Sequence, residues 1–348
     1  MELHRDNAVD LTKSIAVFGV LLIHASAVGG YGGTVGSAGW CGALFWGSVL
    51  RCAVPLFLMC SGALLLAPDK PVSLRQVWTR YLPRLFTALL FWAAAYEGFA
   101  LFLTWHRTGS LEPSAIGDAL RDLLLFHHKP HLYYLHIALL VYVLLPVLRL
   151  LTAAATRRQL EYALLLWLAL GVLFPTAALF PPLRGIGGIP AQYGLNLAWG
   201  SVGYCLLGWY LKQYAAQRRP RFWAALYAAG FLLTLFATLA LSLRRGELYE
   251  GFLSGMAPGV CLEAAGLFGL IRTLPQRERP WTRTLSAASF CIYLTHMFPL
   301  DFLASHHISA AYFSPVWFVP LASLLFLGFG LVVWLVLRKI PWVNTHLI

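Results

Sequence analysis

Long apolar runs recur along almost the whole sequence, and they restrict the chain to one class of fold. About ten of them reach, or nearly reach, the roughly 20 residues that a helix needs to cross a bilayer. The predicted spans are 11–29, 41–66, 85–105, 132–151, 160–180, 197–214, 222–243, 253–271, 285–303 and 315–337. Only 11% of the residues are charged, against about 25% in soluble domains. We therefore predict an all-α polytopic membrane protein with about ten transmembrane helices, built as one membrane-embedded domain over residues 1–348.

The charge distribution predicts the orientation of these helices. The net charge is +12, which in a soluble protein suggests binding to nucleic acid. Most of the 26 lysines and arginines, however, fall in segments that share one side of the membrane when the N-terminus is placed inside. The excess charge is thus explained by basic inner loops. We expect both termini in the cytoplasm, the lipid bilayer as a partner and no binding to nucleic acid. The Gly- and Pro-rich segment 181–196 is then an outer loop.

Several kinds of site lack their sequence signatures. The six cysteines are scattered without a CxxC pair, so we interpret them as small buried side chains and expect neither a disulfide framework nor a metal site. The sequence also has no GxSxG, Walker A, HExxH or GxGxxG motif.

The first apolar run carries a polar stripe. Lys13 and His24 are eleven residues apart. This spacing puts them on one face of a helix, roughly 16 Å apart along the axis. Asp10 shares that face, and we expect it to pair with Lys13 or with a loop arginine, because it lies about 20 Å from His24. His24 is interpreted either as a neutral histidine bonded to a backbone carbonyl or as a general base. Lys13 can equally be an anchor at the inner surface.

The second run contains a deep arginine. Arg51 lies about ten residues from the outer end, where an arginine costs roughly 2.5–3.5 kcal/mol on insertion scales, so it should face a partner or a cavity. Pro55 should kink this helix. Ser61 and Gly62 permit close approach of a neighbouring helix.

Three arginines follow the second run in a predicted inner loop. Arg80 and Arg84 are four residues apart and can face the same way, and Arg75 precedes them in the same loop. They can grip the phosphates of a nucleotide-containing substrate, or they can simply reflect the bias of inner loops toward positive charge.

Two later helices carry further candidates. His131, Tyr133 and Tyr134 begin the fourth span as a polar site or as an aromatic belt at the interface. Tyr293 and His296 lie one turn apart on the ninth. Two carboxyl groups, those of Glu97 and Glu263, fall inside predicted spans, where each can pair with Arg51 or a histidine or be protonated. If these residues form one site, His24, Arg51 and His296 should line one cavity.

Four of these segments, taken in order, resemble the acyltransferase-3 family of integral-membrane O-acyltransferases. Lys13-x10-His24 is similar to the family's Arg/Lys-x10-His signature. The segment from Arg51 to Gly62 is similar to the family's second helix. His131-Leu132-Tyr133-Tyr134 resembles its His-Leu-Trp-aromatic segment. A late helix of the family carries Ile-Tyr-…-His, and the segment Ile292-Tyr293-Leu294-Thr295-His296 resembles it. Among members, the chain looks closest to enterobacterial-common-antigen-type O-acetyltransferases. It departs from the pattern in having Tyr133 for the usual Trp, and Arg80-x-x-x-Arg84 where Arg-x-x-Arg is frequent.

The resemblance implies transfer of an acyl group, with acetyl favoured, from cytoplasmic acetyl-CoA to a glycan or glycolipid hydroxyl on the outer side of a bacterial cytoplasmic membrane. His24, Arg51 and His296 are then expected to be catalytic, and Lys13, Arg75, Arg80 and Arg84 to bind the CoA. Acceptor binding is assigned to His131, Tyr133, Tyr134, Tyr293 and Glu263, with Asp10 and Ser61 as further motif residues.

Two other classes remain as alternatives. A transporter or flippase would also have many helices and buried charges, although no inverted repeat is visible. A ligand-binding membrane domain like that of vancomycin-type serine racemases is the other. The sequence leaves homo-oligomerisation and the acceptor open.

Overall fold

The chain folds into helices joined by short connections. A computed structural model describes residues 5–67, 72–127, 129–181, 183–186 and 197–348, and within these ranges it contains no β-strand. The fourteen helices considered below are α1 Asn7–Gly30, α2 Ala38–Val49, α3 Ala53–Leu65, α4 Leu74–Thr108, α5 Pro113–Leu124, α6 Tyr133–Ala154, α7 Arg157–Ala177, α8 Leu197–Tyr214, α9 Pro220–Arg245, α10 Pro258–Thr273, α11 Pro280–Thr295, α12 Met297–Ser305, α13 Pro315–Leu337 and α14 Pro341–His346. The all-α prediction is confirmed. Most of the predicted outer loop 181–196 lies outside the described residues.

Within those ranges, eight helical segments are long and apolar enough to cross a membrane, or nine if the bent pair α11–α12 counts as one span. They account for nine of the ten intervals expected from the sequence. The interval 197–214 corresponds to α8, which has 18 residues. It is not among these candidates in the described part of the chain. The chain is thus a multi-pass membrane protein.

Two of the spans are interrupted, each close to the site described below. α2 and α3 form one span that is broken over residues 50–52. Pro55 has no N–H to donate to the carbonyl of Arg51, so the expected disturbance is found one turn before the proline. The pair α11–α12 bends by 40° at His296, where Pro299 likewise removes the bond to the Thr295 carbonyl.

α1 is the central helix of the bundle. It packs against α2, α3, α11 and α13, and its buried residues belong to both of the large apolar clusters of the core. α1 leaves helical geometry at Val28 and Gly29, and Gly29 has φ of 79°. A glycine is suited to this position because other residues are strained at positive φ.

Close helix contacts are made through glycine. A Cβ on Gly62 of α3 would clash with the backbone carbonyl of Cys205 in α8, and a Cβ on Gly208 of α8 would clash with the backbone of Met59. The expectation that Gly62 permits close approach is therefore confirmed. All six cysteines are free; five are buried, and Cys41 is partly exposed.

Candidate active site

Three histidines from distant parts of the chain meet inside the bundle. The ring centroids of His24 and His296 are 4.9 Å apart, those of His131 and His296 5.3 Å, and those of His24 and His131 6.1 Å. His24 is supplied by α1, His131 by the short turn that precedes α6, and His296 by the bend between α11 and α12. The bend at His296 and the turn at His131 therefore bring these two rings to the side of α1 that carries His24.

His296 is the most deeply placed of the three, with 0% of its surface exposed. Its Nδ1 lies 2.7 Å from the carbonyl oxygen of Tyr293. A carbonyl oxygen can only accept, so Nδ1 carries the proton, and in the neutral ring the lone pair is on Nε2. Nε2 is buried without a hydrogen-bond partner in the described part of the chain. His296 is thus held in one tautomer behind His24.

His24 opens into a cavity of about 300 Å³, here called the His24 cavity. Arg51, His131, Tyr133 and Tyr293 also line it, together with apolar residues of α1 and α3 and with segment 253–256. His296 does not line it, although its ring contacts that of His24. The structure thus brings His24 and Arg51 into one cavity as expected and places His296 one layer further back.

Arg51 is presented by the break between α2 and α3. Its Nε donates to the carbonyl of Leu253 at 2.6 Å. The carboxylate of Glu263 accepts from the backbone N–H of Cys52 at 3.3 Å, and the hydroxyl of Tyr227 donates to the carbonyl of Val49. Backbone groups that the break leaves unpaired are therefore bonded by side chains of α9 and α10.

Glu263 consequently has a different position from the one expected for an acceptor-binding residue. It is fully buried and lines neither of the two cavities described here. The expected link to Arg51 exists through the backbone of Cys52 rather than through an ion pair. Tyr227 and Leu253 were missed by the sequence reasoning, since a backbone acceptor and an isolated tyrosine have no recognisable motif.

A second cavity, of about 280 Å³, lies toward the end of the bundle that holds Lys13; we call it the Lys13 cavity. Its lining includes Lys13, Ser61, Arg84 and Tyr134. Tyr293 lines both cavities, and its hydroxyl donates to the carbonyl of His131 at 2.5 Å. Of the residues expected to bind acceptor, Tyr133 therefore lies on the His24 side of Tyr293, and Tyr134 on the Lys13 side.

Lys13 is a cation without a carboxylate partner in the described ranges, whereas its acidic neighbours are paired with other residues. Asp10 binds Arg5 at 2.5 Å, not Lys13 or a loop arginine as expected. Asp6 binds Arg272 at 2.6 Å. Since the adjacent carboxylates are engaged, the ammonium group of Lys13 is available to a ligand in its cavity.

Asp6 lies outside the membrane-spanning segments and has a shifted pKa. Burial raises the pKa of its carboxyl, but the hydrogen bond and charge of Arg272, the N–H of Val9 and the charge of Lys212 outweigh that effect. The net result is a pKa below the ordinary value of an aspartate.

The three loop arginines separate in the structure. Arg84 lines the Lys13 cavity and donates to the carbonyl of Ile348 at 2.6 Å. Arg75 and Arg80 are exposed and line neither cavity. Residues Val77–Tyr81 form a π-helical turn, which widens the helix locally and changes the face on which Arg84 emerges relative to Arg80. The spacing of four in the sequence therefore did not place both guanidinium groups at one cavity.

No group of three or more His, Cys, Asp or Glu side chains in the described ranges is arranged to hold a metal ion. The site instead provides a histidine open to one cavity, an arginine beside it and a lysine in the adjoining cavity. A base, a cation and two chambers that meet at one side chain are suited to moving a group between two bound molecules.

Comparisons with known proteins agree with this arrangement. An acyltransferase domain, that of the acyltransferase-3 family, matches residues 6–337. Searches of curated proteins and of solved structures gave no match. Because the family match covers nearly the whole chain, from before the stripe on α1 to the end of α13, the protein belongs to the acyltransferase-3 family and is a membrane acyltransferase.

Proposed function

We propose that this chain is an O-acetyltransferase that moves an acetyl group from acetyl-CoA on the cytoplasmic side to a glycan hydroxyl on the outer side. The observation that carries the proposal is the pair of cavities that share Tyr293. One contains a lysine that has no carboxylate partner among the described residues, and the other contains an open histidine. The two residues lie on the same face of α1, roughly 16 Å apart by helical rise. An extended pantetheine arm is suited to such a distance.

The donor belongs in the Lys13 cavity. Lys13 and Arg84 supply positive charge for the phosphates of CoA, and the hydroxyl groups of Ser61, Tyr134 and Tyr142 line the way inward. Arg75 and Arg80 lie on the exposed surface of α4, where they can attract the nucleotide without lining the cavity. The thioester then reaches Tyr293 and His24.

The acceptor belongs in the His24 cavity. His24 takes the proton of the acceptor hydroxyl, whose oxygen attacks the thioester carbonyl carbon; the C–S bond breaks and the proton passes from His24 to the sulfur of CoA. The ring of His296 packs against that of His24 from behind and limits its orientation. Tyr133 and His131 line the space that the sugar occupies.

The proposed location rests on the distribution of lysine and arginine in the sequence, which favours both termini in the cytoplasm. With both termini in the cytoplasm, the Lys13 cavity faces the cytoplasm and the His24 cavity the outer side of a bacterial inner membrane. Acceptors of the enterobacterial-common-antigen type, lipid-linked or surface glycans, are then accessible from the membrane. The resemblance of the four sequence segments supports this subgroup.

Purified protein in nanodiscs can be incubated with acetyl-labelled acetyl-CoA and a membrane extract that contains glycolipid acceptors. We expect label to appear in the glycolipid fraction. His24→Ala should reduce this transfer by about 10²–10⁴-fold, the usual contribution of a general base. His106→Ala is the matched control, because His106 is exposed and lines neither cavity.

Transfer that persists unchanged in His24→Ala would refute the role of His24. Label that remains on the protein after acid denaturation in the absence of acceptor would replace direct transfer by a covalent acyl-enzyme. Absence of acetyl-CoA binding by the wild type would refute the assigned donor.

A further inference from the structure

The His24 cavity has an unusual charge balance. Among the described residues that line it, Arg51 has the one permanently charged side chain, and none is acidic. Among the groups whose charges act on Arg51, two are carboxyl groups, those of Glu250 and Glu263. Neither forms an ion pair with it. Glu250 is exposed, and Glu263 is already bonded to the N–H of Cys52. The positive charge in this cavity is therefore not neutralised by an acidic side chain among the described residues.

The guanidinium group of Arg51 is only partly used. Its Nε donates to the Leu253 carbonyl at 2.6 Å, which fixes the direction of the side chain. In the described part of the protein the two terminal amino groups have no hydrogen bond. Their N–H groups form the planar fork that binds a carboxylate or a phosphate through two parallel bonds.

Other partly buried cations in the described ranges have their charged groups in ion pairs or hydrogen bonds. Arg272 is paired with Asp6, and Lys129 with Asp301. The terminal Nη1 of Arg149 donates to the carbonyls of Leu65 and Ala67. Arg51 instead lines an open cavity beside the histidine that we assign to proton transfer. An unneutralised arginine at membrane depth is costly to keep, so an incoming anion is the natural partner.

We propose that the His24 cavity takes an acceptor that carries an anionic group, a carboxylate or a phosphate, near the acylated hydroxyl, and that Arg51 binds that group through its terminal amino groups. The inference rests on the proposed function, because it takes the molecule that binds in the His24 cavity to be the acceptor. It narrows the acceptor to acidic glycans, such as those with a uronate, or to sugars attached to a lipid phosphate.

Three amphiphiles with the same alkyl chain test the proposal: octyl glucoside, octyl glucuronide and octyl phosphate. The first is neutral, the second carries a sugar carboxylate and the third represents a lipid phosphate. Equilibrium binding of each, tritium-labelled, to the protein in nanodiscs below micellar concentration gives the preference. We expect at least one anionic probe to bind about tenfold more tightly than octyl glucoside, the scale of a charge-assisted bidentate contact.

Arg51→Gln should reduce this preference to within about twofold, and Arg51→Lys should retain part of it, because the charge remains while the fork is lost. Arg244→Gln, at an exposed arginine outside both cavities, is the matched control. Tighter binding of the glucuronide identifies a sugar carboxylate, and tighter binding of octyl phosphate identifies a lipid phosphate.

Equal binding of all three probes by the wild type would overturn the proposal, and so would a preference that survives in Arg51→Gln. A purely structural or oxyanion-stabilising Arg51 would lower the rate of acetyl transfer without changing the ratio of the binding constants. The proposed function fails separately: it would be refuted if anionic probes bind as expected but no acetyl group is transferred to any acceptor by the wild type.

Discussion

At the scale of single residues, the position of Glu263 shows how a buried carboxylate can serve a site without entering it. Glu263 accepts from the backbone N–H of Cys52, which follows Arg51 in the chain. On the other side of the break, Tyr227 bonds the carbonyl of Val49. Both contacts hold the backbone from which the Arg51 side chain extends, so Glu263 is a positioning residue.

Glu263→Ala leaves the Cys52 N–H without a partner, at a cost of about 1–3 kcal/mol for a buried donor. We expect this variant to lose acyl-transfer activity mainly through kcat, and Glu263→Gln to retain most of it because the amide oxygen still accepts. The measurement is a pair of kcat and KM values for each variant. Glu247→Ala, at an exposed glutamate, serves as the control. Equal activity of the alanine and glutamine variants would contradict the positioning role.

At the scale of elements, the contact between α3 and α8 depends on the absence of side chains. Gly62 faces the carbonyl of Cys205, and Gly208 faces the backbone of Met59. α3 also carries Ser61 at the Lys13 cavity. Separation of the two helices would therefore move one wall of that cavity.

Gly62→Ala should destabilise the protein by about 1–3 kcal/mol, because the added methyl group meets backbone that cannot turn away. Gly98→Ala is the control: it lies in α4 with nothing within 4 Å of the new methyl group, and alanine favours a helix over glycine by about 1 kcal/mol. Thermal unfolding in detergent should give a lower Tm for Gly62→Ala and an unchanged or higher Tm for Gly98→Ala. Equal Tm values for Gly62→Ala and the wild type would show that α3 and α8 can move apart without loss of stability.

At the scale of the whole molecule, the end of the bundle with Lys13 is joined by ion pairs between distant segments. Asp6, just before α1, binds Arg272 at the end of α10 through two contacts of 2.6 and 2.7 Å, and Lys212 of α8 lies 3.8 Å away. The central helix is thus tied to two others where the chain enters the bundle.

Because folding lowers the pKa of Asp6, this group stabilises the folded protein above the unfolded pKa of about 4. That contribution is lost as the pH falls through the lower folded pKa. Asp6→Asn should therefore reduce the Tm at pH 7, and the difference from the wild type should shrink as the pH falls below about 4. Glu278→Gln removes an exposed ion pair with Arg283 and should leave the Tm nearly unchanged. A difference between Asp6→Asn and the wild type that is constant with pH would exclude the charge as its cause.

Much of the architecture was predictable from local features of the sequence. The apolar runs gave nine of the intervals that the structure contains as membrane-length helices, and Pro55 indicated the break that presents Arg51. The family was also predictable, because four motifs occur in order along the chain.

The arrangement of the site was less predictable, because it depends on contacts between distant segments. Nothing in helical spacing indicates that His296 lies behind His24 rather than beside it. The same holds for Asp10, whose partner precedes α1. The π-helical turn before Arg84 changes the phase of the helix. Pro83 indicates a disturbance there, but it does not indicate that the helix continues through a π-helical turn rather than ending or kinking. Glu263 bonds a backbone N–H, a partner that every residue except proline offers.

Tyr293 forms a wall of both cavities while its hydroxyl is tied to the His131 backbone. A rotation that enlarges one chamber necessarily changes the other, so occupation of the two is energetically linked. If a ligand in one cavity changes the affinity of the other cavity for its ligand by some factor, the second ligand changes the affinity for the first by the same factor. A ligand that moves the Tyr293 ring in one cavity therefore changes the affinity of the other cavity, and binding measured with one ligand alone does not give the affinity when both cavities are occupied.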